Sequence, residues 1–345
     1  MKRPLLQFSV CLIGIFLGMF LYRIAFDSGP GNSEAETGEA NPAPRYDSTT
    51  ENTWSPDFKV VDIVSSLDGT PGKAYFYSSK SGSPAPLVVS LHTWSGNYTQ
   101  QDPLAELCRR AEVNYIHPDF RGPNQTPQAC CSPLALGDMD DAIDFAIDKG
   151  NVDTTQINVI GVSGGGYATL AMFMKSRHQI RRYSAWVPIS DLVAWYQESS
   201  IRGNKYAGEI LACTGSEDDE LDEAEAKRRS PLHWKTPAGR LDNSELTIYA
   251  GIYDGIQGSV PITQSINFYN KVLADLYPGS GAAVSIEEKA RLLESRKPLG
   301  DYGTIGGRKI CLEKSHGNLR LVIFTGNHEM LPEAAIDNLH LTIGD

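Results

Sequence analysis

The stretch from Ile157 to Tyr167 constrains this chain more than any other. An apolar run, Ile157-Asn158-Val159-Ile160, leads into Gly161-Val162-Ser163-Gly164-Gly165, and a helix-compatible segment follows from Ala168 to Lys175. A strand that turns abruptly into a helix across a serine needs small residues two places before and after it, and Gly161 and Gly165 meet that need. Ser163 is then expected at the tip of a strained turn, with its hydroxyl above the end of a sheet. The next amide, Gly164 N–H, points toward a developing oxyanion. A glycine-rich turn with an incidental serine would show the same five residues without requiring the strand before and the helix after.

The surrounding pattern agrees with that context. Phe58–Val64 and Gly72–Tyr77 alternate as an antiparallel hairpin around the turn Asp68-Gly69-Thr70-Pro71-Gly72. Pro86–Leu91 is a short continuous apolar run, as expected of a strand covered on both faces. From there strands alternate with helices: a helix near 102–111, a strand at 114–120, a helical stripe over 136–149, the Ser163 strand, and strands at 183–189, 246–251 and 319–324. This alternation predicts an α/β fold with a mostly parallel central sheet and helices on both faces. Residues 191–240 lack strand signals and read as a helical lid. Its acidic run from Ser216 to Glu225 reads as a solvated helix start. Residues 279–318 read as a further insertion with a helix and a hairpin.

The ends of the strands offer chemistry. A serine hydroxyl needs a base to take its proton and an acid to orient that base. In a sheet of this kind the partners follow in the order serine, acid, histidine, each after a strand. Asp254 follows the strand 246–251 and His328 follows the strand 319–324, both in glycine-containing loops. Asp254-Gly255 is also a common turn dipeptide, and a lone histidine is often a cap or a surface residue. The agreement of order and placement is what singles out Ser163, Asp254 and His328. The second oxyanion donor should come from the loop after strand 86–91, with the Trp94 amide ahead of Thr93. Trp94 and Tyr167 are the aromatic residues expected to line the substrate pocket.

The segments that carry these positions resemble a known family. They are Gly161-Val162-Ser163-Gly164-Gly165-Gly166-Tyr167, Asp119-Phe120-Arg121-Gly122, Gly251-Ile252-Tyr253-Asp254-Gly255, Gly258-Ser259-Val260-Pro261 and Gly326-Asn327-His328. Over roughly residues 86–340 the chain resembles α/β-hydrolases. Within them it is similar to prolyl-oligopeptidase-type serine peptidases and acetyl-xylan-esterase-like enzymes. His92-Thr93-Trp94-Ser95-Gly96 stands where that family has a His-Gly-x-Gly stretch, without the glycine at 93. The resemblance implies an acyl-enzyme mechanism with no cofactor and no metal. Its ester branch implies a small-molecule or glycan ester as substrate, and its peptidase branch a peptide. The segment before residue 57 reads as too short for the β-propeller of the peptidase branch, which favours the ester. A hydrolase fold kept as a non-catalytic binding ectodomain is the reading outside enzymology.

The N-terminus sets the expected location. Met1-Lys2-Arg3-Pro4 is basic, and the eighteen residues Leu5–Tyr22 are mostly apolar, a helix of about 27 Å that just spans a bilayer. Residues 1–26 therefore read as a signal-anchor that leaves the body on the periplasmic or extracellular side. Secretion after cleavage is the alternative. Residues 27–56 are rich in Gly, Ser, Glu and Pro and read as a tether. The hydrolase domain is expected over 57–345. A formal net charge of −11 argues against a nucleic-acid partner. An exported chain permits disulfides. Cys213 in the lid is expected to bond to one cysteine of the Cys130–Cys131 loop, because both segments should rise above the same edge of the sheet; the alternative is that the vicinal pair bonds to itself or stays reduced and Cys213 is simply buried.

Overall fold

The computed structural model describes residues 53–341. The signal-anchor expected over 1–26 and most of the tether lie outside the described residues. Among the described residues no helix is long and apolar enough to cross a membrane. Ordered contacts begin slightly before the expected boundary at 57: Trp54 stacks on Tyr75 with ring centroids 4.2 Å apart, and its indole N–H donates to the Thr99 carbonyl at 3.3 Å.

The chain opens with β1 (Lys59–Val64), β2 (Pro71–Tyr77) and β3 (Ala85–Leu91), then α1 (Pro103–Arg110), β4 (Asn114–Pro118) and α2 (Pro133–Lys149). β5 (Val152–Val162) runs into α3 (Gly164–Lys175), followed by β6 (Arg182–Trp186). Three helices come next, α4 (Leu192–Ile201), α5 (Tyr206–Thr214) and α6 (Glu223–Arg228), with a short 3-10 turn at Pro231–His233. The rest is β7 (Glu245–Gly251), α7 (Ile262–Leu276), α8 (Ile286–Ser295), β8 (Thr304–Ile305), β9 (Arg308–His316), β10 (Leu319–Phe324) and α9 (Pro332–Asn338).

The strands lie in the order β1-β2-β4-β3-β5-β6-β7-β10-β9-β8. The six from β4 through β10 pair in parallel, and antiparallel pairs flank them at both ends. Side chains alternate between faces along a strand. Leu87, Val89 and Leu91 of β3 therefore join one apolar cluster, with Ile143, Phe173 and Ile266. Val88 joins the cluster on the other face, with Leu104, Ile336 and Leu339. Coverage on both faces explains why β3 reads as a continuous apolar run instead of an alternating one.

The segment between β6 and β7 is helical, as its missing strand signals predict. The acidic run does start a helix: Asp222 caps α6 by accepting from the Glu225 amide at 2.9 Å. Cys213 at the end of α5 is bonded to Cys130, with Cα atoms 6.2 Å apart. Cys131 stays a buried free thiol, pushed up to about 12 by burial, and is inert toward exchange at neutral pH. The bond closes a sequence separation of 83 residues. Cys213→Ser is expected to lower the unfolding free energy by about 2–4 kcal/mol. Urea unfolding of both proteins with and without reductant checks this. A wild-type midpoint indifferent to reductant would show that the bond does not brace the fold.

Candidate active site

The turn between β5 and α3 is as tight as the sequence predicts. Ser163 adopts φ 57° and ψ −116°, a strained conformation for a residue with a side chain. It is held there by backbone bonds on both sides: Ser163 N–H donates to the Trp186 carbonyl at 2.9 Å, and Tyr167 N–H donates to the Ser163 carbonyl at 2.8 Å. The flanking glycines are required by close approach. A Cβ at Gly161 would strike the Gly165 backbone, and one at Gly165 would strike the Leu91 carbonyl.

Asp254 and His328 are brought together although 74 residues separate them. β7 and β10 are parallel neighbours, so the loops that leave their C-terminal ends emerge side by side. Ile252 N–H donates to Phe324 O at 2.8 Å and Tyr253 N–H to Gly326 O at 3.0 Å, which ties the two loops together. His328 Nδ1 then lies 2.7 Å from Asp254 Oδ2. The other oxygen, Oδ1, accepts from Gly255 N–H at 2.9 Å and Val260 N–H at 3.0 Å. Asp254 is 1% exposed. Its carboxylate thus meets its burial cost through two amides and one imidazole. Gly258 packs against the pair, and a Cβ there would press on both His328 and Asp254.

The loop after β3 approaches the elbow from the other side. A Cβ on Gly164 would collide with the Trp94 amide nitrogen, so the backbones of the two expected oxyanion donors are in close contact. Thr93, the other candidate, has its N–H committed to Gln100 Oε1 at 2.8 Å, and its hydroxyl accepts from Gln100 Nε2 at 3.0 Å. Gln100 therefore fixes the loop that carries Trp94. Its role is invisible in the sequence, because it depends on how the loop 92–100 folds back.

The two aromatic residues expected to line the pocket are placed differently from that expectation. Trp94 is 1% exposed and Tyr167 is fully buried. The Tyr167 hydroxyl lies 2.9 Å from the Cys130 carbonyl and 2.7 Å from the Arg229 carbonyl. It ties the disulfide loop and the end of α6 to α3. Trp94 packs edge-on against Trp195 of α4 at 4.7 Å. Their side chains brace the site, and only the Trp94 backbone reaches toward the elbow. The Asp119–Gly122 motif is also structural here. Asp119 accepts from Gly122 N–H at 2.7 Å, Arg121 pairs with Asp138 at 2.5 Å and Asp68 at 2.9 Å, and Phe120 stacks on His92 at 3.7 Å. Among the described residues no cluster of three or more His, Cys, Asp or Glu side chains is arranged to hold a metal ion.

His92, at the base of the loop, is expected to make stability fall in acid. Its Nδ1 donates to the Thr93 carbonyl at 2.9 Å, and burial pushes its pKa down to about 3. The folded state keeps it neutral while the unfolded chain takes up a proton below about 6.5. The stability is complete above about 6.5 and drains as the pH falls toward 3, by about 1.4 kcal/mol per pH unit for this proton. His92→Asn, whose amide can take the place of Nδ1, is expected to remove about one proton's worth of that slope in denaturant unfolding. Parallel pH dependences for the two proteins would discard the assignment.

Residues 135–272 match the prolyl oligopeptidase family. Three solved structures share the fold over most of the chain. They are a prolyl endopeptidase studied for inter-domain dynamics in catalysis and specificity (TM-score 0.56, 14% identity, 85% of this chain and 38% of that one), oligopeptidase B from Leishmania major (0.55, 12%, 83% and 36%), and an acylaminoacyl peptidase from Pyrococcus horikoshii (0.53, 15%, 82% and 40%). The chain has the α/β-hydrolase fold and is similar to the prolyl oligopeptidase family. The chain spans about two fifths of the length of those enzymes. No curated protein sequence matches it.

Proposed function

We propose that the chain is a serine hydrolase that cleaves carboxylic esters, acylated carbohydrate among them, through an acyl-enzyme. The observation that carries this reading is the 2.7 Å Asp254–His328 pair, which follows the neighbouring strands β7 and β10, on the same sheet whose strand β5 ends in a strained serine. Ser163 attacks the acyl carbonyl while His328 takes its proton, then returns it to the leaving oxygen. Asp254 orients His328 and stabilises the imidazolium. The Gly164 and Trp94 amides hold the oxyanion. Esters come first because an ester carbonyl is less resonance-stabilised than an amide carbonyl, so the same residues have a smaller barrier to overcome, and the alcohol departs once His328 has protonated it. The match to the prolyl oligopeptidase family supports cleavage of a peptide amide as the second reading, using the same residues.

The proposed setting is the non-cytoplasmic side of a membrane, anchored by residues 1–26. The Cys130–Cys213 bond supports an oxidising compartment. Short aryl esters and proline-blocked peptide amides, assayed side by side, test the substrate class. A fluorophosphonate should label Ser163 at the same time. Esters turned over faster support the leading reading, and amides turned over faster favour the second. Failure of both assays and of labelling would leave a binding ectodomain. Activity on the preferred substrate should also fall on the acid side, because His328 must be neutral to accept the serine proton. A rate that stays flat into acid, with chemistry limiting, would remove His328 as the base.

A further inference from the structure

A cavity lies away from the elbow. It has a volume of about 900 Å³ and opens between the start of α2, the end of α3, and α6 with the turn after it. Lys175 closes α3, twelve residues beyond Ser163, hence about 18 Å along the helix axis. The floor is apolar, formed by Pro127, Pro133, Leu134, Leu136 and Ala224. A cavity of this size accepts a small organic molecule.

Its charge is opposite to that of the protein. The chain carries a formal −11, yet the lining holds Lys175, Lys227, Arg228 and Arg229 against one carboxylate, Glu225. That carboxylate serves two guanidiniums: Arg229 Nε donates to it at 2.5 Å and Arg228 also pairs with it. Lys227 is matched by Glu223 at 2.9 Å. Among the described residues Lys175 has no carboxylate partner; its ammonium rests over the Trp234 ring, 5.1 Å from the centroid. The wall is built rather than loose. Arg229 is 8% exposed, and its remaining N–H groups donate to Ala129 O at 3.0 Å and Pro127 O at 2.9 Å. That fixes the loop forming one side of the cavity. The site therefore offers an apolar floor, an aromatic face and uncompensated positive charge at one rim.

We infer that this cavity binds an organic anion with an apolar body, its charged group against Lys175 and Arg228 and its body on Leu134, Leu136 and Trp234. Calorimetric titration of the full chain with 4-phenylbutyrate, and with 4-phenylbutan-1-ol as the neutral control, tests the inference. Saturable 1:1 binding of the anion is expected. Lys175→Met keeps the aliphatic stem and removes the charge. It should weaken the anion at least tenfold and leave the alcohol unchanged. Trp234→Leu should weaken both, with circular dichroism confirming that each variant folds. No saturable binding of the anion, or binding that Lys175→Met leaves untouched, overturns the proposal. So does equal weakening of anion and alcohol by Lys175→Met. None of these outcomes depends on turnover at Ser163, so the proposed hydrolase activity stands or falls separately.

Discussion

Ser163→Ala is expected to lower turnover by about 10³-fold or more, with no loss of folding. The side chain is small, and the backbone that holds it is fixed by bonds that alanine retains, from Ser163 N–H to Trp186 O and from Tyr167 N–H to Ser163 O. The strain at φ 57° is a cost the surrounding structure already bears, and alanine bears it equally. What disappears is the hydroxyl proposed to form the acyl bond. The remaining donors, Gly164 and Trp94, would still polarise a carbonyl, so slow background turnover is expected rather than none. Matching circular dichroism and urea midpoints for the two proteins would confine the loss to chemistry. A Ser163→Ala protein that keeps its activity would overturn the nucleophile and the whole assignment with it.

The strand ends were readable because the signals there are local. A β-branched run meeting small residues at −2 and +2 leaves few alternatives to a strand turning sharply into a helix. Short apolar runs before Asp254 and His328 could only be covered strands. The order of the parts then followed from how parallel sheets are wound. Contacts set by tertiary packing were not readable in this way. Tyr167 stands four residues after Ser163, one turn along α3, and that turn carries its ring into the core, to the Cys130 and Arg229 carbonyls. Adjacency in sequence suggested the pocket, but helical periodicity decided otherwise. Gln100 is an unremarkable residue in a polar loop until the loop closes on Thr93. Trp54 sits in a composition typical of tethers, and only tertiary packing gives it a place, stacked on the partly buried Tyr75 and edge-on to Phe58. The lining charges of the cavity join the contiguous Lys227-Arg228-Arg229 to Lys175, about fifty residues earlier in the chain, and only the fold places them around one space.

Asp254→Asn is expected to lower kcat by about 10⁴-fold, the scale seen when the orienting acid of a serine triad becomes an amide. The structure supplies the reason. Two backbone donors, Gly255 N–H at 2.9 Å and Val260 N–H at 3.0 Å, point at Oδ1. An asparagine must present its carbonyl oxygen to them, which leaves its NH₂ facing His328 Nδ1 in place of Oδ2. That NH₂ can only donate. His328 is then forced to accept at Nδ1 and to carry its proton on Nε2, the nitrogen that should take the proton from Ser163. The base is present, in place and in the wrong tautomer. Asp254→Ala removes the orienting oxygen without imposing that tautomer, so it should be no more damaging than Asp254→Asn despite deleting more atoms. Steady-state kinetics on the preferred ester, with folding checked by urea midpoint, separate the cases. If Asp254→Asn works nearly as well as the wild type, Asp254 is a loop-building residue that His328 merely touches.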